Sequence, residues 1–151
     1  MNESCEIVVA DLPFTVRRTA RWADCDPAGV VYAGRYPEYL LGAAAHFLRA
    51  VRGVPVAVAP EVELPCKHMA LTFHASLYPD DVVDIRLTVG ALREHSFELL
   101  ARATFTDGRL AFEGVFAPIC IPAGRLREKT PMPATLRQAL QRHCTQTESA
   151  S

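Results

Sequence analysis

The spacing of apolar residues changes along this chain, and each change predicts an element. From Phe14 to Trp22 the residues Phe14, Val16, Ala20 and Trp22 fall on one side of a two-residue period, with Arg18 the one polar exception. That alternation predicts a strand. From about Arg35 to Arg52 the polar positions shrink to Glu38, His46, Arg49 and Arg52, a narrow stripe that also holds Gly42, and this predicts a helix. Pro37 suits its first turn and Gly53 its stop. With so little polar surface, the helix is expected to be wrapped on most sides, its alanines permitting close approach. A curved sheet would do that.

The remaining chain reads as strands. Val82 to Gly90 alternates cleanly, and Cys66 to Tyr78, Ser96 to Thr106 and Arg109 to Ile121 are rich in β-formers. Pro79-Asp80-Asp81 and a two-residue Asp107-Gly108 turn punctuate them, predicting a four-stranded antiparallel meander after the helix. Residues 54–61, with Pro55 and Pro60, read as a loop or lid. Residues 1–13 form an N-terminal extension whose apolar patch, Ile7 to Ala10, lies on the surface. The main domain is placed at residues 14–122. Residues 123–151 follow as a basic turn, a short helix over Ala134 to His143 and a polar, disordered tail.

Composition narrows the function classes. The 151 residues are half hydrophobic, enough for one core. Lys and Arg total 16 against 17 Asp and Glu, so the chain lacks the basic footprint of a nucleic-acid binder. The five cysteines, Cys5, Cys25, Cys66, Cys120 and Cys144, are scattered and form no C-x-x-C pair. They argue against a disulfide framework or a zinc site and for a reducing compartment, the cytoplasm. No apolar run approaches the ~18 residues of a membrane span. No metal or other cofactor is expected.

Candidate chemistry gathers between the first strand and the helix, in WADCDPAGVVYAGRYPEY, residues 22–39. Asp24 and Asp26 precede Pro27 and Gly29, and the helix starts a few residues later. Free N–H groups at a helix N-terminus stabilise negative charge developing on a carbonyl oxygen, and one aimed donor is worth about 3 to 4 kcal/mol in a transition state. An exposed helix dipole is worth only about 0.3 to 1 kcal/mol. Asp26 could attack a carbonyl carbon held by an amide near Ala33 or Gly34, or prepare a water to do so. Two carboxylates in such a turn also fit plain capping, and their spacing leaves cap and catalyst open. Cys25, between two acids, is rejected as a nucleophile, because neighbouring negative charge raises a thiol pKa.

The run Asp24-Cys25-Asp26-Pro27-Ala28-Gly29-Val30-Val31-Tyr32, followed by Tyr36 and a hydrophobic helix, resembles the signature of the 4-hydroxybenzoyl-CoA thioesterase-like family of hot-dog-fold proteins. The likeness covers about residues 14 to 121. It implies an α+β hot-dog fold, a long central helix wrapped by a curved antiparallel sheet of about five strands, and an acyl-CoA thioesterase acting on a small to medium apolar or aromatic acyl group. It places the catalytic carboxylate on Asp26 and the polarising amide on Ala33, with Gly29, Val31, Tyr32, Tyr36 and His68 at the substrate and Arg93, His95 and Ser96 at CoA. Some branches carry a histidine where this chain has Ala33. The family's basic residues before a Ser-Phe pair are here Arg93-Glu94-His95-Ser96-Phe97, with an acid among them, so Arg125, Arg127 or Lys129 could substitute. The resemblance further implies a homodimer or homotetramer with sites at the subunit interface. The rival readings are a non-hydrolytic acyl-CoA or acyl-carrier binding module and an enoyl thioester hydratase. Of the other histidines, His46 is expected at the rim of the helix, His74 on the strand face of His68, and His95 at the surface.

Overall fold

A computed structural model describes residues 4–53, 61–125 and 127–145. The expected loop or lid at residues 54–61 lies, but for its last residue, outside them. Strands β1 (Glu6–Asp11) and β2 (Phe14–Thr19) lead through a single 3-10 turn, Trp22–Asp24, and a loop to a second, Ala33–Arg35. Helix α1 (Tyr36–Arg52) follows, then β3 (Val62–Glu63), β4 (Cys66–Phe73), β5 (Val82–Leu92), β6 (Phe97–Phe105), β7 (Leu110–Pro118), β8 (Ile121–Pro122) and α2 (Ala134–Gln141).

The six long strands make one antiparallel sheet in the order β1-β2-β5-β6-β7-β4, while β3 pairs only with β8. This corrects the expected meander. The strand after the helix, β4, does not pair with its successor β5; it crosses to the far edge and pairs with β7, Phe73 opposite Phe112. The Pro79-Asp80-Asp81 turn serves β2 instead: Asp80 donates its N–H to the carbonyl of Ala20, and Ala20 donates to Asp81. Only β5, β6 and β7 form a meander. The hairpin between β6 and β7 has three loop residues rather than two, since Phe105 donates to the Arg109 carbonyl and Gly108 takes the positive φ of 89° that closes it.

Residues 6–11, expected as a surface extension, form the sixth strand, whose Ile7, Val8 and Val9 remain exposed. Its Glu6 reaches over the helix. A Cβ at Gly42 would collide with the Glu6 carboxylate, and Glu6 Oε1 lies 2.8 Å from His46 Nε2. The polar stripe of α1 thus faces the N-terminal strand at its middle.

Helix α1 buries Tyr36, Tyr39, Leu40, Ala43, Ala44 and Phe47 against the sheet, the i, i+3, i+4 pattern of one face. It is not wrapped on most sides, because Leu41 and Ala45 stay exposed. Pro37 sits in the first turn, and Gly53, at φ 61°, ends the helix with its N–H on the Ala50 carbonyl. Opposing it, Phe14 and Val16 of β2, Val83, Ile85, Leu87 and Val89 of β5, and Leu99 and Ala103 of β6 are almost fully buried. Trp22, expected on the inward face, turns out at 72% exposure because β2 has already given way to the 3-10 turn. Helix α2 closes the far side with Leu136 and Leu140.

Phe47 is the hinge of this packing, edge-on to Phe14 at 5.4 Å and to His143 at 4.9 Å between ring centroids. Phe47→Ala is expected to lower stability by about 3 to 5 kcal/mol, read as a drop in the urea midpoint at unchanged slope.

Candidate active site

The loop between the two 3-10 turns closes on itself. Cys25 and Val31 form an antiparallel bridge. Asp26 donates its N–H to the Val30 carbonyl at 2.9 Å, Gly29 donates to Asp26 at 2.9 Å, and Tyr32 donates to the Asp24 carbonyl at 2.9 Å. Gly29 takes φ 84° in open space, so the backbone conformation, not crowding, requires glycine there. Val31 donates to the Leu77 carbonyl, which fastens the loop to the chain beyond β4.

Asp24 and Asp26 divide their work. Asp24 is 1% exposed and its carboxylate accepts the Tyr39 hydroxyl at 2.7 Å, the Arg21 N–H at 3.2 Å and the Arg21 guanidinium at 3.4 Å. Burial works to raise its pKa, but these donors outweigh it and hold the carboxyl below the usual range. Asp26 is half-buried, and its Oδ1 accepts only the Ala28 N–H, at 2.9 Å. That is an Asx turn, so the capping role is real, yet it leaves Oδ2 without a partner among the described residues. At the other end of the loop, the exposed N–H groups of Ala33 and Gly34 meet no acceptor among the described residues, as a first turn requires. A carboxylate and two unspent amides are therefore carried on one closed loop.

Of the other expected site residues, Val31 and Tyr36 are buried beneath this loop and Tyr32 is 57% exposed on it. Tyr36 stacks on Phe73 of β4 at 4.6 Å. His68 lies elsewhere. It shares the strand face of His74, which contacts Glu113, whereas Leu71 and Phe73, one residue out of phase, touch the helix side. Burial first, then the charges of Asp24 and Asp26, push the Cys25 thiol up, which agrees with its rejection as a nucleophile.

Arg93, His95 and Ser96 stand at the opposite end of the sheet. Thr19, just before the loop, pairs with Val82 at the start of β5, while Arg93 follows its end at Leu92; eleven strand residues span ~35 Å. Ser96 is buried, at 4% exposure. Arg93 pairs with Glu98 at 3.2 Å, and its carbonyl accepts the Arg137 guanidinium at 2.6 Å. The segment bearing exposed Arg125, Arg127 and Lys129 folds back here, since Cys120 donates to the His95 carbonyl and Met132 to that of Glu94. Among the described residues, no group of three His, Cys, Asp or Glu side chains could hold a metal ion, and no helix is long and apolar enough to cross a membrane.

The profile of the thioesterase-like superfamily matches residues 20–140, from the end of β2 to α2. The chain belongs to that superfamily. No curated protein matches the sequence. Among solved structures, the hypothetical protein TT1821 from Thermus thermophilus is 27% identical, with a TM-score of 0.74 covering 85% of this chain and 98% of that one. The BH1999 gentisyl-coenzyme A thioesterase is 24% identical, with a TM-score of 0.71 over 84% and 98%. Slr0204, a 1,4-dihydroxy-2-naphthoyl-CoA thioesterase from Synechocystis, is 23% identical, with a TM-score of 0.73 over 85% and 95%. The fold of this thioesterase-like protein is the expected α+β hot-dog fold, its central helix packed against an antiparallel sheet of six strands.

The sequence alone did not single out Tyr39, Arg18 and Glu6 as neighbours of the site. The signal for them was Arg18, the polar residue on an inward strand face.

Because the Asp24 carboxyl is held low in the folded chain, it contributes stability that is complete above the ordinary carboxylate value of about 4. That contribution is lost as pH falls through the lower native value. Asp24→Asn is expected to lower stability at neutral pH by roughly 1 to 3 kcal/mol and to flatten the loss of stability below about pH 4, both read from urea unfolding across pH.

Proposed function

We propose that this thioesterase-like protein is an acyl-CoA thioesterase in which Asp26 and the amide of Ala33 act together on the thioester carbonyl. The observation that carries the reading is the closed loop: its one unspent carboxylate oxygen and its unspent amides sit at the two ends of a hydrogen-bonded turn. The carbonyl oxygen accepts the Ala33 N–H and gains negative charge as the carbon is attacked. Asp26 either attacks that carbon itself, giving a mixed anhydride that water then cleaves, or takes the proton of an attacking water. In both routes the CoA thiolate leaves and is protonated to the free thiol, and the acid remains. The gentisyl- and dihydroxynaphthoyl-CoA enzymes of the same fold support an aromatic or apolar acyl group. Tyr32 and Phe73 supply aromatic surface beside the loop, Phe73 backed by buried Tyr36.

The reading also requires a second copy. The basic end that would meet the CoA phosphates lies beyond the far end of β5 from the Asp26 loop, a strand ~35 Å long, but β4 is an open sheet edge with Met69 39% and Phe73 50% exposed. Phe73 lies at the Asp26 end and Cys66 at the Arg93 end, as the pairings Phe73–Phe112, Phe112–Ala103 and Ala103–Ile85 establish. Antiparallel pairing of two β4 strands would reverse the ends and bring the end that carries Arg93, Arg125, Arg127 and Lys129 in one copy to the same side as the Asp26 loop of the other.

Asp26→Asn is expected to keep the fold and to cut thiol release from a responsive acyl-CoA, found with a panel of short, branched, long and aryl thioesters, by about a thousandfold or more. Near-normal turnover in that variant would end the reading. In single-turnover hydrolysis in heavy-oxygen water, first-turnover acid free of label, with the label entering Asp26 instead, would exclude direct attack by water. Phe73→Asp is expected to shift the protein toward monomer in light scattering and to lose activity in proportion; a monomeric, fully active wild-type protein would exclude the two-copy site.

A further inference from the structure

Beneath the loop lies a run of polar side chains that the proposed chemistry does not use. Tyr39 is 0% exposed, Asp24 1% and Arg18 7%. The Arg18 guanidinium carbon lies 4.2 Å from the centroid of the Tyr39 ring. Its Nη2 is 3.6 Å from Asp24 Oδ2 and its Nη1 3.0 Å from Glu6 Oε2, and the other Glu6 oxygen meets His46. The run therefore begins on β1, outside the residues 20–140 that the family profile matches. It ends at the carboxylate two residues before Asp26.

A phenylalanine at position 39 would fill the same core volume but would leave buried Asp24 short of a donor. The hydroxyl adds a direction. Tyr39 stands in the first turns of α1, the helix whose start presents the Ala33 and Gly34 amides. Asp24 stands on the loop, and its carbonyl holds Tyr32, the residue before Ala33. The 2.7 Å Tyr39–Asp24 bond is thus a side-chain tie between the two halves of the site. Arg18 faces both members of that bond, and Glu6 holds Arg18.

We propose that Tyr39 is a positioning residue: through Asp24, and with Arg18 set by Glu6 of the N-terminal strand, it fixes the Asp26 carboxylate relative to the Ala33 amide. The proposal rests on the thioesterase reading for its kinetic consequence, but not for its structural one. A displacement of about 1 Å between a reacting group and its partner is worth about a hundredfold in rate. An acyl-CoA held through its distant nucleotide end would bind much as before.

The test compares Tyr39→Phe, Glu6→Gln and the double variant with the wild-type protein. Tyr39→Phe is expected to lower kcat by about 10- to 100-fold with KM within about twofold, and to speed hydrogen exchange at the Tyr32 amide, a readout independent of activity. Glu6→Gln, which removes a charge at the partly exposed end of the run, should give a smaller loss of the same kind. The double variant should be no slower than Tyr39→Phe alone, because both act through one bond. A Tyr39→Phe protein with wild-type kcat and unchanged Tyr32 exchange would overturn the proposal, as would equal losses in stability and rate with multiplicative effects in the double variant. If Tyr39→Phe fails to fold, a Glu6→Gln protein with wild-type kcat and exchange overturns it. Failure of the thioesterase reading is seen separately, in a wild-type protein without thiol release or an active Asp26→Asn variant; the exchange result then decides the positioning claim.

Discussion

A carboxylate with 1% exposure is expensive unless its oxygens are satisfied, and the way Asp24 is satisfied constrains everything around it. One bond comes from the central helix, through Tyr39, and two come from Arg21, the residue before the 3-10 turn that holds Asp24. Arg18 of β2 is close enough to balance the charge, and it is balanced in turn by Glu6 of β1. Four elements, β1, β2, the Trp22–Asp24 turn and α1, are thereby referred to one buried point. The loop that bears Asp26 has little choice of path between that point and Val31, whose N–H is held by Leu77. Tyr39 feels the same burial, which together with the Asp24 charge pushes its phenol up and keeps it a donor.

The parts of this arrangement that were legible in the sequence are those written in local periodicity. The helix read over about Arg35 to Arg52, with its Pro37 start and Gly53 stop, lies within a residue or two of α1, and the alternation of β5 shows in its buried Val83, Ile85, Leu87 and Val89. Pairing partners were not legible, because a turn such as Pro79-Asp80-Asp81 states that the chain reverses but not which strand receives it. Here the receiver is β2, some sixty residues earlier, through the Ala20 bonds. Arg18 is instructive in the same way. Read alone it is an error in an apolar face, and only the long-range contact with Glu6 and the ring of Tyr39 makes it a core residue.

The candidate site divides along the same line. The Asp26 loop is a contiguous segment, so its acids, its glycine and the helix behind it could be read directly from residues 22–39. The basic end could not be assigned to it from one chain, since Arg93 stands at the other end of β5 and Ser96, which a linear motif would place at the ligand, is buried. The His68 side chain likewise follows strand parity rather than motif position. The Asp26 loop and the basic segment lie at opposite ends of the sheet within one chain, and the proposed two-copy site would rejoin them by a two-fold operation.

Which edge would carry the proposed operation follows from the edges themselves. The sheet has two, β1 and β4. β1 is six residues long, carries an acid at each end, Glu6 and Asp11, and shifts register between Val8 and Ala10. Pairing two such strands antiparallel would bring like charges together beside a bulge, and both features discourage continuation of a sheet. β4 runs regularly from His68 to Phe73, its one register shift lying before His68, and it contains no acid at all. It also presents Met69 and Phe73 to solvent, side chains that gain by being covered. The aromatic contact from Phe73 to Tyr36 leads from that edge straight to the start of the helix. A second copy that covers β4 would therefore cover one wall of the Asp26 site in the same step, whereas a copy on β1 would leave it open.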